Sequence, residues 1–317
     1  MKYINEFENG ERLIQHFFCL QKNLLKTKSG KDYLSLILRD RTGTINARVW
    51  EINNDIEEFS QGDFIKVDAN AEVYQDNLQL KVNRIRKSND YEYDISDFVP
   101  CSDKNLDDLK NKLEKFIDSV QNIYLNQLLE KIFEDKNNYK KFCVYPAARN
   151  IHHNYVHGLI EHTVSVSEIC EFLAKRVENV FKDLLISCAI LHDFGKIFEL
   201  SDFPDNSYTD EGELIGHIIL IINLINRKII EINNFPEELK LNIIHVILSH
   251  HGQYDFGSPK LPSTLEAIIL SMADNLDAKI NQFTSIIKND NSIGNFTNYN
   301  RSLERRIYKD VKKQNQK

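Results

Sequence analysis

Cysteine, glycine, proline and tryptophan are all scarce in this 317-residue chain. The 5 cysteines are odd in number and include no C-x-x-C pair, so neither a zinc knuckle nor a redox dithiol is spelled and a reducing cytoplasm is the expected setting. With 11 glycines, 6 prolines and 42% hydrophobic residues, collagen-like and broadly disordered classes are excluded. Long apolar runs are missing too. Leu184 to Leu191 is eight residues long and Ile215 to Ile225 is interrupted by His217 and Asn223, whereas a bilayer span needs about 20. Met1 to Glu11 has acidic residues where a signal peptide needs a basic patch and an apolar stretch. No membrane contact is expected. Nor is there a basic excess. The 40 basic and 47 acidic side chains leave −7, which argues against a coat for non-specific nucleic-acid binding.

What is present divides the chain in two. Over the first ninety residues, short alternating runs are separated by turn signals. Tyr33 to Leu38 has its even positions apolar, and Thr44 to Trp50 sets Ile45, Ala47 and Val49 on one face and Asn46, Arg48 and Trp50 on the other. Asp40-Arg41-Thr42-Gly43 lies between them as a hairpin turn, with glycine available for positive φ. Phe64 to Ala71 and Leu78 to Ile85 repeat the alternation. With Arg12 to Leu20 they make five strands, which suits a Greek-key barrel of OB type. From Asn105 the period becomes helical, as in Leu106, Leu109, Leu113, Phe116 and Ile117. The expected class is therefore α+β: a five-stranded OB-type β-barrel over residues 1–95, an all-α bundle over 96–300, and a basic tail over 301–317. The polar segment from Ser88 to Asp103, with Pro100, reads as the linker.

Nine of the ten histidines fall between His152 and His251. His162, His192, His217, His250 and Asp274 each lie on the apolar stripe of a different expected helix. An isolated histidine on such a stripe is ordinarily a satisfied core residue. Four such histidines and an aspartate in succession are not, because a buried charge without a partner costs several kcal/mol. If the stripes converge, a metal satisfies them all. Imidazoles and carboxylates without thiolates suit manganese, iron, cobalt or zinc. Asp193, next to His192, has two oxygens and can bridge two ions. Asp277 reads as a supporting or surface carboxylate. Glu161-His162 is not part of an H-E-x-x-H zinc-peptidase motif.

His162, Ile190-Leu191-His192-Asp193-Phe194-Gly195-Lys196, His217, His250 and Asp274 resemble the ordered signature of the HD-domain metal-dependent phosphohydrolases. Tyr145-Pro146-Ala147-Ala148, Gly158-Leu159-Ile160-Glu161-His162-Thr163, Ser249-His250-His251-Gly252 and Gly257-Ser258-Pro259-Lys260 resemble the narrower YhaM-type 3′-to-5′ exoribonucleases, which join an OB domain to an HD domain. The resemblance implies metal ligation by His162, His192, Asp193, His217, His250 and Asp274, with His251 as ligand or substrate contact. It implies two divalent ions, manganese ahead of cobalt, iron, zinc or magnesium. Lys196 would stabilise charge on the phosphoryl oxygens beside the catalytic Asp193, and His152 and His153 would hold a phosphate. His157 departs from the pattern, where glycine is commoner.

On the expected barrel, Tyr33, Arg48 and Trp50 share one face, the usual way an OB fold stacks bases and follows phosphates; the competing reading buries Trp50 at the barrel end. Lys22, Lys26, Lys28 and Lys31, and Lys81, Arg84, Arg86 and Lys87, could flank this groove. The expected activity is metal-dependent hydrolysis of single-stranded RNA to nucleoside 5′-monophosphates, with single-stranded DNA as an alternative substrate; the resemblance implies that it proceeds from the 3′ end. A nucleotide phosphohydrolase, a cyclic-nucleotide phosphodiesterase or a non-catalytic RNA-binding protein are the competing expectations, and homo-oligomerisation is left open.

Overall fold

A computed structural model describes residues 2–27, 29–75, 77–99, 101–148, 155–202, 206–290 and 292–309. The chain forms two units, Met1–Cys101 and Ser102–Lys317. In the first, β1 (Arg12–Lys26), β2 (Asp32–Asp40), β3 (Gly43–Val49), β4 (Phe64–Tyr74) and β5 (Asn77–Lys87) close a barrel in the order β1-β2-β3-β5-β4. This is the OB arrangement. β1 runs longer than its alternation suggests because it pairs with β4 through Phe18 and with β2 from Phe18 onward, bending at an irregularity between Cys19 and Gln21. The inward set is the predicted one: Leu34, Leu36 and Leu38 pair with Val49, Ala47 and Ile45, and all six are buried.

Two expectations change here. The β2–β3 turn does not use a left-handed glycine, since Gly43 has no positive φ. Instead the buried Asp40 carboxylate accepts from Thr42 N at 2.7 Å and Gly43 N at 3.2 Å, and its other oxygen accepts from Ile4 N at 2.6 Å. The expected linker is also largely part of the barrel unit. Tyr93 stacks on Phe64 with centroids 4.3 Å apart, and Phe98, fully buried, meets both rings edge-on. Glu92 holds Arg86 through two contacts of 2.6 and 2.7 Å. Two aromatic anchors outweigh a polar average, and Pro100 lies outside the described residues.

The second unit comprises α1 (Leu106–Ser119), α2 (Ile123–Phe133), α3 (Lys136–Val144), α4 (Gly158–Ala174), α5 (Lys182–Leu191), α6 (Lys196–Glu199), α7 (Asp210–Ile215), α8 (His217–Ile230), α9 (Glu237–Leu248) and α10 (Leu265–Asn289). Asn105, Asn122 and Asp135 cap the first three with side-chain acceptors. In α5 every residue from Leu184 to Leu191 is buried, the expected state of a helix apolar on all sides. α4, α9 and α10 contact it. Past α10 the described residues up to Lys309, which include the start of the basic tail, fold back on one another. Phe296 bridges Tyr308, and the buried Lys309 ammonium reaches Asp290 Oδ2 at 2.7 Å and the Ser292 carbonyl at 2.6 Å. No helix among the described residues is long and apolar enough to cross a membrane.

Phe98→Ala should lower barrel stability by about 3–5 kcal/mol in denaturant titration, the cost of emptying a packed aromatic site. A true linker would show no change.

Candidate functional site

The helical unit brings its ionisable groups together by close backbone contacts. His192 caps the C-terminus of α5 and Asp193 follows in the turn to α6. Gly195 sits against the start of α8, where a Cβ would lie 2.1 Å from the His217 carbonyl oxygen. Only glycine lets the His192-Asp193 turn come this near to His217. His157, in the left-handed region at φ 66, precedes α4 and its Nδ1 lies 2.6 Å from the Cys143 carbonyl. The departure from glycine thus keeps a glycine-like backbone and adds a side-chain tether. His250 and His251 follow α9, and α10 supplies Asp274 and Asp277.

Five histidines share one orientation. Nδ1 of His192, His250 and His251 meets the carbonyls of Ala189 (2.9 Å), Ile247 (2.7 Å) and Phe256 (2.9 Å). Nδ1 of His162 meets Asp277 at 2.7 Å, and that of His217 meets Glu199 at 3.0 Å. A carbonyl only accepts, so in His192, His250 and His251 Nδ1 carries the hydrogen, and Nε2 of His162, His192, His217 and His250 lies toward Asp193. His162 Nε2 lies 3.2 Å from His192 Nε2 and 3.2 Å from Asp274 Oδ1.

Asp193 divides this group. Its Oδ2 is 3.5 Å from the Nε2 atoms of both His162 and His192, and its Oδ1 is 3.4 Å from His217 Nε2 and 3.7 Å from His250 Nε2. Two clusters therefore have metal-ligand geometry: His162, His192 and Asp193, and His217, His250 and His251. Asp193 Oδ1, His217 Nε2 and His250 Nε2 are buried without a hydrogen-bond partner. Buried polar atoms are seldom left so, and a cation between them would satisfy all three. The donor set fits a divalent ion.

The electrostatics agree. Burial opposes charge on His162, yet the Asp274 and Asp277 carboxylates overcome it and push the ring up to about 10. A site that draws a proton so strongly offers the same field to a metal. Burial, with His251 and His192 adding to it, keeps His250 well below its usual value and hence neutral. At Asp193 burial favours the acid, but the Lys196 ammonium, 2.5 Å from Oδ2, and His192 hold the carboxyl well below the ordinary range.

Every sequence-predicted ligand, His162, His192, Asp193, His217, His250, His251 and Asp274, lies in this group, as does Lys196. His152 and His153 lie outside the described residues. Glu199, which also receives the His217 amide at 3.0 Å, went unnoticed in the sequence. It stands three residues past Lys196 on α6, but nothing in the pattern separates it from other acidic residues. Asp277 is a supporting carboxylate, fixed by Ser165 Oγ as well as His162. Glu161 accepts from Ser102 at 2.5 Å and pairs with Lys104 at 3.2 Å.

On the barrel, Tyr33, Arg48 and Trp50 line one groove of about 450 Å³ with Asn46, Tyr74 and Gln79. Trp50 is 38% exposed and stacks on Tyr33, centroids 4.8 Å apart, so it is a groove wall and not barrel core. The basic flanks are less available than their sequence suggests. Lys22 bonds the Phe59 carbonyl, and Lys31, Arg84, Arg86 and Lys87 pair with Glu51, Asp55, Glu92 and Asp63. Lys28 lies outside the described residues.

Residues 159–279 match the family model described as the HD domain, and residues 21–87 match the model of the OB-fold nucleic acid binding domain. Solved structures similar to the barrel include the second OB-fold domain of replication protein A from Methanococcus maripaludis. It is 22% identical over 30% of this chain and 97% of that one, with a TM-score of 0.23. An OB domain from Methanosarcina mazei is 23% identical over 29% and 84% of the two chains, with a TM-score of 0.24.

Removing the carboxylate that orients His217 should weaken metal binding without unfolding the protein. Glu199→Gln is expected to lower manganese affinity about 10- to 100-fold in calorimetric titration, the usual range for such orienting partners, with the circular dichroism spectrum retained.

Proposed function

We propose that the protein is a YhaM-type exoribonuclease: its barrel captures single-stranded RNA and its HD unit removes nucleoside 5′-monophosphates from the 3′ end in a reaction that needs divalent metal. One observation carries the hydrolytic part of the reading, namely the division of Asp193 between two imidazole clusters. His162, His192, Asp274 and Asp193 Oδ2 would hold one ion, and His217, His250, His251 and Asp193 Oδ1 a second. Such ions polarise a phosphoryl oxygen and lower the pKa of water, and manganese, cobalt, iron and zinc all suit the ligands.

The chain's own residues supply the rest. Main-chain carbonyls fix the Nδ1 side of His192, His250 and His251, and the Asp277 and Glu199 carboxylates orient His162 and His217. Lys196 neutralises Asp193 in this structure; with Asp193 engaged by cations, its ammonium is left to offset charge on the phosphoryl oxygens. Oxygen from water bonds to phosphorus as the bond from phosphorus to the 3′ oxygen breaks, and the proton passes to that 3′ oxygen. The products are a shortened chain with a 3′ hydroxyl and a 5′-monophosphate.

The aromatic groove supports a polymeric substrate over a free nucleotide. Tyr33, Trp50 and Tyr74 offer ring faces, which stack on any base, and Arg48 offers a cation beside them.

Incubation of 5′-labelled single-stranded RNA with manganese should give a ladder shortening from the 3′ end, abolished by chelator and by Asp193→Ala. Intact RNA beside hydrolysed mononucleotides would overturn the reading. Trp50→Ala should raise the KM for RNA by about 5- to 150-fold, the cost of one lost stacking contact of about 1–3 kcal/mol, while turnover of a small chromogenic phosphodiester falls far less. Equal losses on both substrates would remove the barrel from RNA capture.

A further inference from the structure

Helix α10 carries Asp274 and Asp277 on one side and an unexplained apolar stripe on another. Leu265, Ile268, Met272, Leu276, Ile280 and Ile287 face solvent, and Met272, Leu276 and Ile280 are 54%, 50% and 54% exposed. Their spacing of mostly three or four residues aligns them along one face for roughly 30 Å of helix. Lys279 stands among them, exposed; its long stem can lie along the stripe with the ammonium in water. A surface helix normally turns polar residues outward, and a helix apolar on both sides is normally covered on both. Scattered exposed aliphatic residues are ordinary, but a continuous row of them marks an interaction surface.

With Ile287 set aside and the half-buried Phe283 added, the row is symmetric about position 274: Met272 and Leu276 are two residues away on either side, Ile268 and Ile280 six, and Leu265 and Phe283 nine. A surface whose spacing reads the same in both directions complements itself under a two-fold axis, whereas an unrelated partner imposes no such symmetry.

We propose that α10 is a homodimer interface. Two copies of the helix pack antiparallel, with Met272 of one against Leu276 of the other, Ile268 against Ile280 and Leu265 against Phe283. The half-exposed side chains offer on the order of 500 Å² per copy, and about 1,000 Å² for the pair reaches the lower bound of specific interfaces. The contact lies on the helix that presents Asp274 and Asp277 to the metal centre, so pairing would brace that helix from behind. It does not depend on which phosphoester is the substrate.

The full-length chain is 37.1 kDa, so light scattering after size exclusion should give an even number of copies, in the simplest case about 74 kDa for a two-fold pair. Met272→Glu and Leu276→Lys should each halve the wild-type mass while keeping the wild-type circular dichroism spectrum. Mixing the two variants should restore it, because the axis sets Glu at 272 of one copy against Lys at 276 of the other and leaves Leu276 against Met272 at the symmetric position. Ile230→Lys, which charges an 84% exposed residue of α8, should leave the mass unchanged. A monomeric wild type at micromolar concentration, unchanged mass in both stripe variants, folded variants that fail to recombine, or an equal loss of mass in Ile230→Lys would each overturn the proposal.

Discussion

The helical unit depends on one constraint: polar atoms taken out of water must find partners. Five imidazoles and two carboxylates converge within an otherwise apolar bundle, and their outward-facing atoms are paired while three inward-facing atoms are not. Helix positions, the glycine contact at Gly195 and the supporting carboxylates serve that convergence. In the unpartnered atoms the fold retains a cost that a cation would relieve, so metal binding and stability should be thermodynamically linked.

Much of this was legible in the sequence because two periodicities are strong in it. Period-two alternation located β2 to β5 and named the inward residues of β2 and β3. Buried-stripe histidines, read together and not singly, pointed to the side chains that the fold gathers into the two His/Asp clusters. What failed to show was contact across long sequence separation. Tyr93 and Phe98 look like residues in an acidic linker until Phe64 is placed beside them. Arg84, Arg86 and Lys87 look like a phosphate-tracking row until Asp55, Glu92 and Asp63 are found on them. Glu199 gains its meaning only from a histidine eighteen residues later. The turn after β2 failed for another reason: a buried carboxylate did the work assigned to glycine.

The groove wall also has an energetic consequence. Tyr33 and Trp50 already stack on each other, so part of their surface is spoken for before any base arrives. A base laid on the exposed face of either ring adds contact, whereas one inserted between them must first separate the pair. Affinity per nucleotide is therefore moderated by an interaction within the barrel itself, which suits a surface that must release as well as hold a strand.

The way the histidines are oriented sets how the centre can vary. Three of the five Nδ1 partners are main-chain carbonyls, those of Ala189, Ile247 and Phe256. No substitution deletes a carbonyl, so His192, His250 and His251 keep their tautomer whatever residue supplies it. The other two partners are side chains, Asp277 behind His162 and Glu199 behind His217, and they serve different clusters. Genetic drift and protein engineering thus have one adjustable support on each half of the centre, with the remaining orientation inherited from the backbone.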